Sequence, residues 1–196
     1  MSHPPLILAS TSPYRRQLLE RLALPFSVAD PAVDERSLVG ESPQQLVERL
    51  AIAKAEGVAR VHPGAVVIGS DQVAVLDGEI TGKPGHHEAA REQLRRASGR
   101  EVVFHTGLCC YQHNLAGDHL QHAVIPYRVL FRKLSDEQIE RYLHKEKPYD
   151  CAGSFKSEGL GVALFARMEG EDPSALMGLP LIHLTTLLEK VGVFVV

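Results

Sequence analysis

Cysteine is scarce in this sequence, and its placement argues against a disulfide framework. The chain has three cysteines, and two of them, Cys109 and Cys110, are adjacent. Neighbours on a strand point to opposite faces, so we interpret all three as small core residues. The ten histidines are scattered, and the His86-His87 pair lacks the usual spacing of zinc ligands. We therefore expect surface positions for most of them.

Excess positive charge and long apolar runs are also missing. The formal net charge is −3, which argues against broad binding to nucleic-acid phosphates but leaves room for a local basic pocket. No apolar run approaches the roughly 20 residues of a membrane span. Met1 to Pro5 has neither the charged nor the apolar region of a signal peptide. These absences predict a cytoplasmic protein that binds neither nucleic acid nor membrane.

The two common glycine-rich phosphate motifs are absent as well. No segment matches GxxxxGK[ST] or GxGxxG, which excludes the P-loop and Rossmann routes to nucleotide binding. What remains is an ordinary globular composition of 196 residues, 44% hydrophobic and 23% charged. That length allows one domain with a substantial core, or one domain with two lobes.

The segment around Asp71 gives the first indication of a site. Val66 to Ile68 is a short β-branched run that predicts a buried strand, and the polar residues after it place Asp71 at a strand terminus. Ligands of α/β sheets are held at such positions. Asp77-Gly78 predicts a hairpin turn, after which Lys83 lies on the neighbouring strand. A surface salt bridge would explain this acid and base equally well.

A second strand-loop unit stands at the start of the chain. Leu6 to Ala9 predicts a strand, and Ser12 and Pro13 predict the start of a helix. Arg15 and Arg16 fall in its first turn, where they oppose the helix dipole unless an anion binds there. Hydroxyls, backbone N–H groups and guanidiniums at a helix N-terminus suit a phosphate. The alternative is a solvated basic turn.

Lys54 stands out in the next predicted helix. A capping box of Ser42 and Gln45 predicts a helix that runs to about Arg60. Lys54 falls in the middle of its apolar stripe. A lysine there either extends to solvent or meets a negative partner, because an unpaired buried ammonium is costly. The acidic loop that contains Glu35 precedes this helix.

The last informative segment is rich in glycine. It runs from Cys151 to Gly161 and carries Lys156 and Glu158. Such a loop can approach a ligand closely, although a plain hairpin loop is the alternative. The remaining pattern predicts strands over Phe26–Ala29, Glu101–Cys110, His122–Leu134 and Val162–Phe165, a turn over Asn114–Gly117, and helices over His86–Ala97, after Ser135, and over Leu179–Val191.

Cationic and acidic side chains thus gather at element ends or in unexpectedly apolar surroundings. This mixture suits hydrolysis of a phosphoanhydride, because cations neutralise phosphate oxygens while carboxylates hold Mg²⁺ or Mn²⁺ and activate water. The basic side chains are Arg15, Arg16, Lys54, Lys83 and Lys156, and the acidic ones are Glu35 and Asp71.

In order and spacing, these positions resemble the motifs of the Maf nucleotide pyrophosphatases over nearly the whole chain. The late segment from Cys151 to Gly159 is similar to the YceF-type branch, which hydrolyses 7-methyl-GTP. The dTTP/UTP branch carries a different motif there and has Thr where Gln72 stands. The matching segments are Leu6–Arg16, Val33–Glu35, Leu50–Ala55, Gly69–Val73 and Thr81–Pro84.

The resemblance implies a fold and a set of roles. The fold would be a Maf/ITPase-like α/β fold, with an elongated mixed β-sheet and helices that form two lobes around a central cleft. Residues 1–196 would form one domain, with a divalent metal and, as is reasonable for the family, a homodimer. The residue that matches Asp71 is the proton acceptor, and those that match Tyr14, Gln72 and Glu158 set substrate choice.

From these roles we derive a hypothesis for the site. Asp71, Glu35 and Lys83 are the catalytic candidates, and Glu35 and Asp71 the candidate metal ligands. The substrate-binding candidates are Ser10, Arg15, Arg16, Lys54 and Lys156.

The expected reaction cleaves the α–β anhydride of 7-methyl-GTP to 7-methyl-GMP and pyrophosphate. Alternatives are a pyrophosphatase for dTTP/UTP or another modified nucleotide, and a nucleotide-binding regulator of septum formation. The preference for 7-methyl-GTP has a physical basis. N7-methylation makes the purine cationic, so Tyr14 stacked on it gains a cation–π contribution. Glu158 can accept hydrogen bonds from the guanine edge and Gln72 can bond its remaining polar groups, whereas adenine would leave Glu158 unpaired at a cost of about 1–3 kcal/mol.

Overall fold

The computed structural model describes residues 4–114, 117 and 119–196. Its helices are α1 Pro13–Glu20, α2 Pro43–Ala59, α3 His87–Ala97, α4 Asp136–Glu146 and α5 Leu181–Lys190. Its strands are β1 Leu6–Ala9, β2 Ser27–Ala29, β3 Val66–Leu76, β4 Glu79–Thr81, β5 Glu101–Gln112, β6 His119–Phe131 and β7 Phe165–Glu169. Short 3₁₀ helices cover Ala152–Ser154, Leu160–Leu164 and Pro173–Met177.

The strands form a mixed seven-stranded sheet in the order β2-β1-β3-β5-β6-β7, with β4 paired to β3. Strand β1 runs parallel to both β2 and β3, with Leu8 opposite Val28 on one side and Ile68 on the other. The pairs β3–β4 and β6–β7 are antiparallel. A mixed sheet with helices confirms the predicted α/β class.

The chain divides into two compact units, which are described separately. The first falls in the ranges 1–71, 106–125 and 172–196, and the second in 72–105 and 126–171. In the first unit, small residues let α2 lie close to the sheet. A Cβ at Gly69 would come within 2.1 Å of the Ala51 carbonyl oxygen, and one at Gly107 within 2.1 Å of the Val47 carbonyl oxygen. Only glycine permits this approach.

The second unit has an aromatic core. Phe155 packs edge-on against Phe104, Phe131 and Phe165, with ring centroids 5.3, 5.7 and 4.8 Å away, a favoured geometry for aromatic pairs. Phe155 belongs to the glycine-rich segment, so that segment is anchored in the core.

Local sequence signals placed most elements correctly. Ser42 and Gln45 form the expected capping box at the start of α2, and Ser135 and Gln138 form another at α4. Asp77 and Gly78 have positive φ values of 52° and 84° at the turn between β3 and β4, as the predicted hairpin requires. The predicted turn over Asn114–Gly117 includes two residues, 115 and 116, that lie outside the described ones.

Two element predictions were wrong. Asp71 does not end a strand, because β3 continues to Leu76. The strand predicted over Val162–Phe165 is wrong at its start, because Leu160–Leu164 forms a 3₁₀ helix. In the glycine-rich segment, Gly159 and Gly161 donate their backbone N–H groups to the Lys156 carbonyl at 3.3 and 3.0 Å. These hydrogen bonds coil the chain, so β7 begins only at Phe165.

The core prediction for cysteine was right for two residues. Cys109 and Cys110 are fully buried, whereas Cys151 is half-buried. Burial raises the pKa of Cys109 to about 12 and the pKa of Cys110 well above its usual value, so both core thiols are unreactive. Among the described residues, no helix combines the length and the apolar character that crossing a membrane needs.

Substitution of Gly69 by alanine tests the close approach of α2 to β3. The added methyl group collides with the α2 backbone at Ala51 and Ala55, so we expect a loss of about 1–3 kcal/mol in the free energy of unfolding. Urea titration measures it. The control is Gly82→Ala, where an added Cβ meets nothing within 4 Å. Equal stability of Gly69→Ala and wild type would contradict this account of the packing.

Candidate active site

Lys54 forms the centre of the candidate site in the first unit. Its ammonium lies 2.7 Å from Asp71 Oδ1 and 2.5 Å from Glu35 Oε1. Lys54 and Asp71 are only 4% and 8% exposed, whereas the Glu35 side chain is 62% exposed. Of the two fates predicted for a lysine in an apolar stripe, the structure shows the negative partner. Two carboxylates and one ammonium leave this cluster with a formal charge of −1.

The packing of α2 explains why Lys54 reaches Asp71. Gly69 lets the helix lie against β3, and Asp71 follows two residues later on the same strand. Lys54 lies in the part of α2 that packs over Gly69. Its side chain therefore reaches the Asp71 carboxylate through the protein interior. Once buried, each charge requires the other, because an unpaired charge in an apolar interior is strongly destabilising.

Arg15 supplies a second cation in the same unit. Its Nε donates to the Gly178 carbonyl at 2.9 Å, and its Nη1 donates to Ser10 Oγ at 3.4 Å. Burial lowers the pKa of Arg15, while the carboxylates of Asp71 and Glu35 act in the opposite direction. Arginine stays protonated in proteins. Its guanidinium is therefore a fixed positive charge near the two carboxylates.

The remaining residues of the first helix are more open. The Ser12 hydroxyl accepts from the Arg15 backbone N–H at 3.4 Å and so caps α1 as predicted. Arg16 is exposed and pairs with Glu20 at 3.2 Å. Tyr14 is half-buried. Thus Arg15 is built into the protein, whereas Arg16 projects to solvent, as the solvated-turn alternative allowed.

The backbone carbonyl of Gly178 holds Arg15 and Ser70 in place, a role that the sequence did not predict. Its carbonyl accepts from Arg15 Nε and also lies 2.8 Å from the hydroxyl of Ser70, the residue before Asp71. Its φ of +89° favours glycine, and an added Cβ would lie 3.2 Å from Arg15 Nε. The only sequence signal was a glycine shortly before a predicted helix.

Asp172 fixes the segment that leads to Gly178 and was also missed. It is 1% exposed. One of its oxygens accepts from the Ser174 hydroxyl at 2.6 Å, and the other accepts from the backbone N–H groups of Ile182 and His183 at 2.8 and 3.2 Å. A carboxylate at the start of α5 is favourable because the helix dipole is positive there.

Arg49 fastens the loop that carries Glu35. Its guanidinium makes a bidentate pair with Glu41, at 2.6 and 2.8 Å, and donates to the Arg36 carbonyl at 3.0 Å. Glu41 also accepts from the Leu38 backbone N–H at 2.9 Å. Nothing in the sequence distinguished this arginine from other polar residues of α2.

The other predicted residues lie in the second unit. Gln72 follows Asp71 on β3 and is half-buried. Lys83 is exposed in the loop after β4, not on a neighbouring strand as expected. The Lys156 backbone N–H donates to the Tyr142 hydroxyl at 3.1 Å. Glu158 is exposed and accepts from the Ser157 hydroxyl at 3.3 Å.

Glu35 and Asp71 have the donor chemistry for the metal that the family resemblance implies. Their carboxylates converge on the Lys54 ammonium at 2.5 and 2.7 Å. Mg²⁺ and Mn²⁺ prefer oxygen ligands, and Mg²⁺ is commonly held by one or two carboxylates together with water and phosphate oxygens. The two residues therefore fit such an ion.

Fold and site define an α/β protein whose first unit gathers two carboxylates and two cations. A family model described as Maf-like protein matches residues 5–191, so the chain belongs to the Maf-like family. A 7-methyl-GTP pyrophosphatase of Methylobacillus flagellatus is 57% identical over 193 residues, which cover 98% of this chain and 100% of that protein. One of Ralstonia nicotianae is 59% identical over 190 residues, 96% of each chain. A HAM1 protein structure from Coxiella burnetii has a TM-score of 0.44 at 16% identity, over 66% of this chain and 74% of that one.

Acid should weaken the ion pair between Arg49 and Glu41, which holds the loop that carries Glu35. The hydrogen bond from Arg49 lowers the pKa of Glu41 from 4.5 to about 2. Because the folded-state pKa lies below the unfolded one, this contribution to stability is complete above about pH 4.5 and is lost as the pH falls toward about 2. We expect wild type to be more stable than Glu41→Gln at neutral pH, and the difference to shrink on acidification. Denaturant titrations at about pH 7, 5 and 3 measure it. A difference that stays constant with pH would contradict the assignment.

Proposed function

We propose that this protein hydrolyses the α–β phosphoanhydride of a nucleoside triphosphate and releases a nucleoside monophosphate and pyrophosphate. The observation that carries the proposal is the buried carboxylate of Asp71, held at 2.7 Å by Lys54 beside Glu35. Binding alone needs no such acid. Hydrolysis does, because a water molecule must lose a proton as it attacks phosphorus.

Asp71 is the proposed general base. It accepts a proton from the attacking water, whose oxygen bonds to the α-phosphorus while the bond from that phosphorus to the bridging oxygen breaks. The pyrophosphate leaves with the bridging oxygen. Lys54 orients Asp71, and a carboxylate locked in one position loses little freedom in the reaction.

Arg15 and Ser10 are the proposed phosphate contacts of the first unit. The Arg15 guanidinium is held by the Gly178 carbonyl at Nε and by Ser10 Oγ at Nη1, which fixes the position of its charge. A fixed guanidinium fork matches phosphate oxygens well. The roles of Arg16, Lys83 and Lys156 in binding the triphosphate stay predictions from the resemblance.

A divalent cation, Mg²⁺ or Mn²⁺, is the proposed cofactor, with Glu35 and Asp71 as its protein ligands. When bound, it would neutralise charge on the phosphate oxygens. The exposed Glu35 side chain suits a ligand shared with solvent and substrate.

The proposed substrate is 7-methyl-GTP, the nucleotide in the names of the two relatives. Tyr14, Gln72 and Glu158 are the proposed specificity residues, for the reasons of charge and hydrogen bonding given above. A cationic base favours an aromatic face and a carboxylate over neutral partners.

Further predictions carried by this proposal are a single catalytic domain over residues 1–196, a cytoplasmic location and no nucleic-acid partner. A homodimer is compatible with the family resemblance.

Asp71→Asn tests the proposed base. We expect the variant to lose about 100-fold or more in kcat, because general-base catalysis typically contributes about 10²–10⁴-fold. Release of pyrophosphate from 7-methyl-GTP with Mg²⁺ or Mn²⁺ measures it. The control is Glu189→Gln, which changes an exposed carboxylate of α5. Full activity in Asp71→Asn would reject the assignment. Tight nucleotide binding without turnover in wild type would favour the regulator over the enzyme.

A nucleotide panel tests the substrate. We expect a higher kcat/KM for 7-methyl-GTP than for GTP, dTTP or UTP. Glu158→Gln should reduce the ratio of 7-methyl-GTP to GTP by about 10-fold, the effect of about 1–2 kcal/mol in transition-state discrimination. Equal turnover of GTP and 7-methyl-GTP would reject the specificity while leaving the pyrophosphatase reaction intact, and preference for dTTP or UTP would favour the alternative branch.

A further inference from the structure

A second group of ligand-type side chains lies within the second unit and has no part in the proposed reaction. It consists of His87, the first residue of α3, and Glu140 and His144, which are one turn apart on α4. His87 Nε2 lies 2.9 Å from Glu140 Oε2, and His144 Nδ1 lies 3.6 Å from the same oxygen. One ligand atom from each residue lies within 4.8 Å of the other two.

These separations match the ligand spacing of a small transition-metal ion. Two ligands each about 2.0–2.1 Å from a tetrahedral Zn²⁺ are about 3.4 Å apart, and the two observed separations, 2.9 and 3.6 Å, lie on either side of that value. Two imidazoles and one carboxylate are a common set of three protein ligands for zinc, with water in the fourth position.

Neighbouring side chains support two of the three ligands. His87 Nδ1 lies 3.0 Å from the Tyr149 hydroxyl. A hydrogen bond from Nδ1–H to that hydroxyl would leave the lone pair of Nε2 directed toward Glu140. Arg91 Nε lies at an ion-pair distance of 3.1 Å from the other oxygen, Glu140 Oε1, without hydrogen-bond geometry, and Oε2 is the oxygen that faces both imidazoles. A hydrogen bond such as that between His87 and Tyr149 orients a ligand and strengthens metal binding.

His144 completes the set with a small movement. Its Nδ1 lies 2.8 Å from the Glu140 backbone carbonyl, and the side chain is 73% exposed. The ring is free to turn from that carbonyl toward the ion, since no core packing restricts a side chain so exposed. The centroids of the two imidazole rings are already only 5.3 Å apart.

We propose that His87, Glu140 and His144 bind Zn²⁺ or a similar borderline transition metal, and that the ion links the start of α3 to α4. Imidazole-rich sites favour such ions, whereas Mg²⁺ and Mn²⁺ favour oxygen ligands. The site therefore differs in chemistry from the pair Glu35 and Asp71. The sequence did not reveal it because the ligands come from two helices, 53 residues apart between His87 and Glu140.

Zinc titration of the metal-free full-length protein tests the proposal. Isothermal calorimetry would compare wild type with His87→Ala and His144→Ala, and with His62→Ala as control, since His62 is an exposed histidine of the first unit. Asp71→Asn would be included to separate this site from the proposed active site. We expect about one zinc per chain at this site, and about 100-fold weaker binding in His87→Ala and His144→Ala. His62→Ala and Asp71→Asn should retain wild-type affinity.

A second measurement separates ligands from structural residues. Tyr149→Phe should weaken zinc binding by about 10-fold, as expected for a residue that orients a ligand. A saturating excess of zinc should raise the thermal midpoint of wild type by about 5 °C or more, and that of His144→Ala much less. Mg²⁺ should not reproduce the shift. Because His144 is exposed, its variant should fold even if the His87 variant does not.

The proposal fails if wild type binds no zinc, or if His144→Ala binds it with wild-type affinity. In the second case the three residues form only a network of hydrogen bonds and ion pairs. If Asp71→Asn were the only variant to lose zinc binding, the metal would be assigned to Glu35 and Asp71 instead. None of these outcomes depends on turnover of a nucleotide, so the metal site and the proposed reaction can fail independently.

Discussion

The buried ion pair between Lys54 and Asp71 is the interaction on which the candidate site depends. Neither residue would be stable alone at 4% and 8% exposure, because an unpaired buried charge carries a large desolvation cost. Replacing both by apolar residues of similar size would often be neutral for stability. The pair is therefore better explained by a role in the site than by a gain in folding stability, because it holds the Asp71 carboxylate in one orientation. Glu35 approaches the same ammonium from an exposed loop, so one lysine joins a rigid carboxylate to a more accessible one.

Several layers of structure keep these groups in place. Glycines let α2 lie against the sheet, Arg49 fastens the loop of Glu35, and Gly178 engages both Arg15 and Ser70. Asp172 in turn fixes the segment before α5. Most of these supports are hydrogen bonds to backbone atoms. Preorganisation of this kind matters for catalysis because groups that are already aligned need little reorganisation during the reaction.

Local sequence patterns predicted much of the fold and of the site. The features that they missed depend on contacts between residues that are distant in the chain. The capping box of Ser42 and Gln45 predicted one helix start, and helical periodicity placed Lys54 in an apolar stripe. The length of β3 was underestimated because Ser70 and Asp71 look like the end of a strand, whereas each is buried with a partner contributed from elsewhere in the chain. Arg49, Asp172 and Gly178 escaped notice for the same reason. Their importance depends on which residues approach them after folding, and no periodicity or spacing encodes that.

The role of Gly178 has a consequence for mutational mapping. Its carbonyl oxygen, a main-chain atom, is what engages Arg15 and Ser70, and every residue type carries that atom. An alanine scan would therefore report the conformational cost of losing glycine and the crowding of Arg15 by the new Cβ, but not the loss of the carbonyl contact itself. Backbone insertion, deletion or proline substitution around Met177 to Leu179 would reveal it, since these alter the path of the chain. Without such variants, the segment around Gly178 would be taken to have no contact with the candidate site.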